Sequence, residues 1–575
     1  MNQHMRRLGR SLLHLLPLLI ACASALAQDV ATPDGDAWNE AEQASRDRYL
    51  VKVAVLNDAE PAATPRSAGR LLLFFTPATE RWSGVEPADA PFFSKLQPLA
   101  SIAAAPATEG TVYTIDDTVA TVFGRPLDEL RGSWRVQAVL DSDFTARGHL
   151  GPGNLASEVK VVELSPNEGD EIRLELTRRI EAPQKPSPAP ATGGQPANPQ
   201  VVWIERRSEL LSKHFGRPFD LRAGVVLPFG YDDLAFPRRM WPTIYVIGGY
   251  GATHLAAADA APALRTPAAR GAIPQAVWVF LDTETAWGHH GYCDSQTNGP
   301  VGRALVEEFV PFLEERFRLV AKPEARVVTG HSSGGWTSLH LALAYPGTFG
   351  ACFASAPDPV DFSAFQRSDL YRDASLFLAR DGSETPSYRE PLGPTEDRVL
   401  MTVRDEIATE RVLDPTGRSG QQWAAWDAMW SPFDALRGAP RPICDAATGA
   451  IDPVTAEAWS RHDIARQFER DRARVGALFA ERIRLVCGTR DSYYLNEAVA
   501  RLKSKIDNWR ASEAARGATP PSGPGYIELL DGLTHGTCQG ASQLRFYQEI
   551  RAHFIAHGLA EPLPRPAAES ADGKR

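Results

Sequence analysis

Three short stretches carry residues that could do acyl chemistry together. The first is Gly330-His331-Ser332-Ser333-Gly334, a G-x-S-x-G, with Val327-Val328 ahead of it and Trp336, Leu339, Leu341, Ala342 and Ala344 at helical spacing behind it until Pro346. Strand, sharp turn and helix is the context in which a serine is forced into a strained backbone and lifts its Oγ out of a sheet. The two glycines leave room where a Cβ would collide, and the helix N-terminus behind Ser332 favours a developing negative charge.

A serine nucleophile needs a base, a group to orient that base, and two backbone N–H donors for the oxyanion. In a sheet of this kind the order is serine, acid, histidine. After Ser332 the histidines are His340, inside the elbow helix, His462, His535, and His553 and His557 in a terminal helix. His535, in LLDGLTHGTC between a strand and the last helix, is the expected base. Asp491, four residues past Cys487 in CGTRDSYYL, is the expected acid, with Asp531 and Asp358 as competitors. Asp531 precedes His535 by four residues on one turn and is poorly placed to reach the far ring nitrogen. The oxyanion donors are expected to be the amides of Ser333 and of Tyr250, in the Gly248-Gly249-Tyr250-Gly251 loop. His289-His290 have no partners at ligand spacing, so no metal and no cofactor are expected.

The elements that must hold these residues follow an alternating pattern from Val201 onward. Strands are read at Leu221–Leu227, Thr243–Ile247, Ala276–Leu281, Ala351–Ser355, Ile483–Cys487 and Tyr526–Leu530. Helices are read at Arg303–Arg316, Asn496–Trp509 and Ala541–His557. This predicts an α/β fold with a largely parallel sheet over residues 201–560. Between Pro357 and Glu481 the rhythm breaks in a polar, Trp-bearing stretch, expected to be a cap-like insertion over the site. Residues 561–575 read as a disordered tail.

Upstream, Val51, Val53 and Val55 alternate with polar neighbours, as do Trp134–Leu140 and Ile172–Leu176, and Leu71–Phe75 is a continuous apolar run. Short strands without a convincing helix predict a small β-sandwich of the immunoglobulin-like kind over residues 28–180. Residues 181–200, EAPQKPSPAPATGGQPANPQ, read as a Pro-rich linker between two independently packed units, so that a fragment from Val201 should work alone.

Three of the 61 basic residues, Arg6, Arg7 and Arg10, fall in the first 27, leaving 58 against 71 acidic groups. That balance argues against nucleic acid or an anionic membrane surface as partner. Residues 1–27 read as a signal peptide, with the apolar run Leu12–Ala21 and cleavage after Ala25-Leu26-Ala27. The chain is therefore expected to be periplasmic or secreted and to have no membrane span. The sequence Leu19-Ile20-Ala21-Cys22 offers a lipid anchor at Cys22 as the minority alternative. Five cysteines follow the signal, an odd number at wide spacing, and their pairing stays open.

YVIGGYG, GHSSGGW, CGTRDSYYL and THG, in this order, resemble the Putative esterase family, which includes enterochelin esterases, feruloyl esterases and S-formylglutathione hydrolases. The resemblance spans about Val201 to His557, with the insertion as a departure. It implies an α/β hydrolase fold, Ser332, Asp491 and His535 as a Ser-His-acid triad, and no metal. The stretch Asp294–Pro300 also resembles that family's loop beside the active site. The expected activity is an exported serine esterase acting on a small-molecule or glycan-linked ester through an acyl-enzyme. An acyltransferase or peptidase on the same residues, and a non-catalytic glycan-binding protein, are the alternatives.

Overall fold

The computed structural model describes residues 50–559 apart from 56–66, 90–95, 117–118, 166–170, 186–200, 229, 232–237, 265–272 and 394. The signal segment, Cys22, the tail and most of the Pro-rich stretch lie outside the described residues.

Eight strands form the sheet that carries the candidate site: β1 (Val202–Arg207), β2 (Asp220–Val226), β3 (Thr243–Ile247), β4 (Val277–Leu281), β5 (Arg326–His331), β6 (Ala351–Ser355), β7 (Ile483–Gly488) and β8 (Tyr526–Leu530). Their order is β1-β2-β4-β3-β5-β6-β7-β8. The pairs from β4 to β8 are all parallel, and only β1–β2 and β2–β4 are antiparallel. This is an α/β hydrolase fold. Its central strands are buried on both faces, which is why β4 reads as an unbroken run of Val, Leu and aromatic residues and β6 as Ala-Cys-Phe-Ala-Ser without a charge. Helices α1 (Ser333–Ala344), α4 (Leu495–Ala515) and α5 (His535–Ala556) follow β5, β7 and β8. Between β6 and β7 the insertion contributes α2 (Val403–Leu413) and α3 (Gln422–Trp430) among its elements.

The expected strands are present within a residue or two, and two features differ. The helix read at Arg303–Arg316 runs from Val301 and is interrupted by a π-helical turn, Ala304–Phe309. The last helix starts at His535, six residues earlier than read from the sequence. Thr534 caps it through a reciprocal pair with Thr537, which the glycine at 536 disguises as a loop.

The N-terminal region is β throughout, with only three-residue 3₁₀ turns among its described residues. Among the described residues, eight of its nine strands join in one hydrogen-bonded path, and the ninth, Lys160–Leu164, pairs off that path with Gly132–Asp141. The path folds over its own core, built from Val51, Val53, Leu71, Leu73, Phe75, Val136, Leu140, Ile172 and Leu174. On the strand Gly69–Pro77, Leu72 and Phe74 point the other way and belong to the large core shared with the hydrolase sheet and the insertion. Leu99, Phe123, Val139 and Ala156 join them there. The continuous run Leu71–Phe75 is thus a strand buried on both faces. Across this junction the Ser101 hydroxyl donates to the Val412 carbonyl at the end of α2, at 2.6 Å.

The expectation of two independently packed units therefore fails at the core. The linker composition gives no warning, because the shared core is built from the sheet face, at Leu72, Phe74, Leu99, Phe123, Val139 and Ala156. Among the described residues no helix is long and apolar enough to cross a membrane. The five cysteines at 293, 352, 444, 487 and 538 are buried free thiols.

Two predictions follow from the shared core. Phe74→Ala is expected to cost about 3–5 kcal/mol, as for a large side chain removed from a packed interior; chemical denaturation measures it. A fragment beginning at Val201 is expected to be insoluble or to melt well below the full chain, because α2 then exposes its apolar face, and calorimetry on the two proteins tests this.

Candidate active site

Ser332 sits between β5 and α1 at φ 58°, ψ −129°, a strained conformation for a residue with a Cβ. The strain is over-determined. Its amide donates to the Ser355 carbonyl on β6 at 3.0 Å, and its carbonyl accepts from Trp336 and Asp358. Gly330 and Gly334 face each other so closely that a Cβ on Gly330 would strike the Gly334 carbonyl, and one on Gly334 the Ile247 carbonyl. The elbow is thereby pressed against the end of β3. There, a Cβ on Gly249 would lie 3.3 Å from the Ser332 Cβ, so this loop passes directly beside the serine.

Asp491 is fully buried, and its two oxygens are divided. Oδ1 accepts from the amides of Tyr493 and Leu495, at 2.9 and 3.3 Å, at the start of α4. Oδ2 lies 2.7 Å from Nδ1 of His535, the first residue of α5. The loops that carry them are tied together: Thr489 and Arg490 donate to the carbonyls of Leu530 and Leu533, and Gly532 donates to the Thr489 hydroxyl. The His535 ring is held by His331, with centroids 4.4 Å apart, and by Tyr493 edge-on at 4.9 Å. Its Nε2 is buried and makes no hydrogen bond among the described residues.

The other two carboxylates considered for the acid bond other partners than His535. Asp531 is exposed and accepts from Thr489 at 3.2 Å. Asp358 is buried and accepts on Oδ2 from the Ser333 hydroxyl at 2.8 Å and from Trp426 Nε1 at 2.9 Å. Burial pushes its carboxyl up to about 6, against the pull of those two donors.

Sequence reasoning missed several groups around these residues. His331, read only as a variable position of the motif, packs tilted against His535 and contacts the Ser355 hydroxyl at 2.9 Å; burial drives its pKa well below the ordinary value, so it stays neutral. The pair His289-His290 is structural. His289 Nε2 donates to the Gly248 carbonyl at 3.2 Å while Nδ1 accepts from the Gly291 amide, and burial lowers its pKa to about 4. His289 thus holds the Gly-rich loop from behind. In the stretch Asp294–Pro300, Ser295 and Asn298 both donate to the Ala428 carbonyl on α3.

The insertion is not remote from the elbow, and its interior is largely aromatic. Trp423, Trp426, Trp430 and Trp459 form an aromatic core with Phe362 and Phe365, and Trp430 packs at 5.0 Å on Trp336 of α1. It also braces the acid loop: Arg389 donates through Nε to the Asp491 carbonyl at 2.9 Å. On the Gly-rich loop, the Tyr250 hydroxyl donates to the Gly420 carbonyl.

A family model described as Putative esterase matches residues 214–519, more than half of the chain. The chain belongs to the Putative esterase family. It is a carboxylic ester hydrolase of the serine esterase kind. The matched span contains Ser332 and Asp491 and ends before His535. No curated protein matches the chain. Among solved structures, it is similar to a ferulic acid esterase at 13% identity, covering 62% of this chain and 98% of that one, with a TM-score of 0.36. It is also similar to an S-formylglutathione hydrolase from Agrobacterium tumefaciens, at 14% identity, 61% and 94% coverage and a TM-score of 0.31. A third is a CE1 ferulic acid esterase from Anaeromyces mucronatus in complex with ferulic acid, at 14% identity, 65% and 97% coverage and a TM-score of 0.31.

The insertion of this esterase carries buried carboxyls whose titration can be tested. Glu406 accepts from Trp423 Nε1 at 2.7 Å, and burial raises it from 4.5 to about 8. A raised carboxyl holds its proton in the folded state when the unfolded chain has released it. The stability this contributes is full below pH 4.5 and is lost as pH rises through about 8. The contribution of Glu406 to the melting temperature is therefore expected to fall between about pH 5 and 8. Glu406→Gln, which stays neutral throughout, should flatten that slope in a thermal-shift series.

Proposed function

We propose that this serine esterase works through Ser332 as nucleophile, His535 as general base and Asp491 as the group that orients the imidazole. The observation that carries the reading is the 2.7 Å contact between Asp491 Oδ2 and His535 Nδ1 in a buried setting, with Nε2 left open beside the strained serine elbow. Asp491 fixes the tautomer in which Nε2 accepts the Ser332 proton, and stabilises the imidazolium that forms. Ser332 Oγ adds to the ester carbonyl, and the amides of Ser333 and Tyr250 bind the oxyanion. Collapse expels the alcohol, which takes the proton from His535. Water, deprotonated by the same imidazole, then releases the acid from the acyl-enzyme. Asp358 holds Ser333 through its hydroxyl and so steadies one of the two donors. The basic, apolar, A-x-A segment at residues 1–27 supports export as the setting for this activity.

Ser332→Ala is expected to lower turnover by a factor on the order of 10⁴ to 10⁶ with the fold intact by circular dichroism. Retention of more than about a tenth of the wild-type rate would remove Ser332 from the mechanism. Asp491→Asn should cost a factor on the order of 10² to 10⁴ in kcat with little change in KM, since the interaction strengthens as His535 becomes charged. Asp531→Asn should cost less than about tenfold. Steady-state kinetics on a soluble ester compares the two directly, and a reversal of their order would make Asp531 the acid.

A further inference from the structure

The Gly-rich loop beside Ser332 is gripped by a side chain from the N-terminal sheet. Arg147 lies on the loop that follows the strand Gly132–Asp141. That loop is stiffened by Asn154, whose Oδ1 accepts from the Ser142 and Asp143 amides at 2.9 Å each while Nδ2 donates to Asp141. From it, the Arg147 guanidinium reaches into the hydrolase sheet. It pairs with Glu284, donates to the Tyr250 hydroxyl at 3.0 Å, and stacks 5.0 Å from the Tyr250 ring. The Tyr250 hydroxyl in turn donates to the Gly420 carbonyl of the insertion, and Tyr250 is 1% exposed. One phenol thus joins three segments: its oxygen accepts from the N-terminal sheet and its proton goes to the insertion.

We propose that Arg147 is a positioning residue for the oxyanion hole, acting through the Tyr250 side chain on the Tyr250 amide, so that the N-terminal sheet is part of the catalytic unit. The inference rests on the assignment of the Tyr250 amide as an oxyanion donor. A donor must point at the place the oxyanion will occupy, and misdirection costs rate without costing ground-state binding. The loop that bears Tyr250 is rich in glycine and cannot hold that direction by itself. His289 fixes its first residue, at the Gly248 carbonyl, and the phenol anchor fixes its third. The Glu284 carboxylate offsets the Arg147 charge, which makes the contribution one of geometry rather than of field. Charge without the planar fork should therefore restore only part of it.

The experiment compares Arg147→Met, Arg147→Lys, Tyr250→Phe and Arg147→Met/Tyr250→Phe in the full chain, with p-nitrophenyl acetate as substrate and phenylboronic acid as a tetrahedral-adduct inhibitor. Arg147→Met and Tyr250→Phe should each lower kcat by about 10- to 100-fold, somewhat less than outright loss of an oxyanion donor, with KM within about twofold. Boronate affinity should fall by the same factor as kcat. Arg147→Lys should lie between Arg147→Met and wild type. The double variant should be no worse than the more damaged single, because both break one linkage. A kcat within about twofold of wild type for Tyr250→Phe, losses that multiply in the double variant, or a kcat loss with unchanged boronate affinity each overturn the proposal. Should Arg147→Met fail to fold by circular dichroism, Tyr250→Phe, which removes one oxygen, and Arg147→Lys decide it on the same criteria. If Ser332→Ala is inactive while these variants keep full rate, this inference alone falls; if Ser332→Ala is active, the mechanism beneath it falls first.

Discussion

Everything near Ser332 depends on how closely β5 and its turn approach the end of β3. Gly334 stands against the Ile247 carbonyl with no space for a side chain, and Gly330 stands against Gly334 in the same way. This contact brings the serine and the Gly248–Gly251 loop into one small volume. It also makes the strained φ of Ser332 the conformation that lets the chain pass. The rest of the molecule can be understood as holding this juncture from outside: His289 behind the loop, Trp336 and the insertion's indoles beneath α1, and Asp358 on the side of Ser333.

A second cluster sits at the adjacent strand ends. The loops after β7 and β8 exchange hydrogen bonds with each other before either reaches the elbow. The separation of Asp491 and His535 is therefore set locally. Tyr493 and His331 both pack against the imidazole and confine it. Such confinement suits a base that must accept and return a proton without changing its place.

The elbow and the parallel strands are legible in the sequence because each is dictated by local sterics: G-x-S-x-G admits few backbone paths, and runs such as Val277–Leu281 fit only a strand covered on both faces, while Asp491 and His535 are candidates only through their places after β7 and β8. The start of α5 was not legible, since Thr534-His535-Gly536-Thr537 carries a glycine where a helix former is usual and hides its cap. The polar composition of the insertion does not show that Glu406, Glu410 and Asp358, charged types in the sequence, lie inside it. All three are buried, and each accepts at least one hydrogen bond from an indole N–H, a backbone amide or a hydroxyl. The docking of the N-terminal sheet is a relation between residues hundreds of positions apart, and no window of sequence contains it. Leu71–Phe75 was its one trace: five apolar residues in a row, where a strand with a wet face would alternate.

The face formed by Leu72, Phe74, Leu99 and Val139 has a history before it has a partner. Its cover, α2, lies far downstream: Ser101 meets Val412 across 311 residues. At a synthesis rate of about 5–20 residues per second, roughly 15–60 s pass between the emergence of the two. During that interval the N-terminal sheet can close its own core but must carry a bare apolar face. A nascent chain in that condition is prone to self-association, and maturation then depends on whatever shields this face until the insertion arrives.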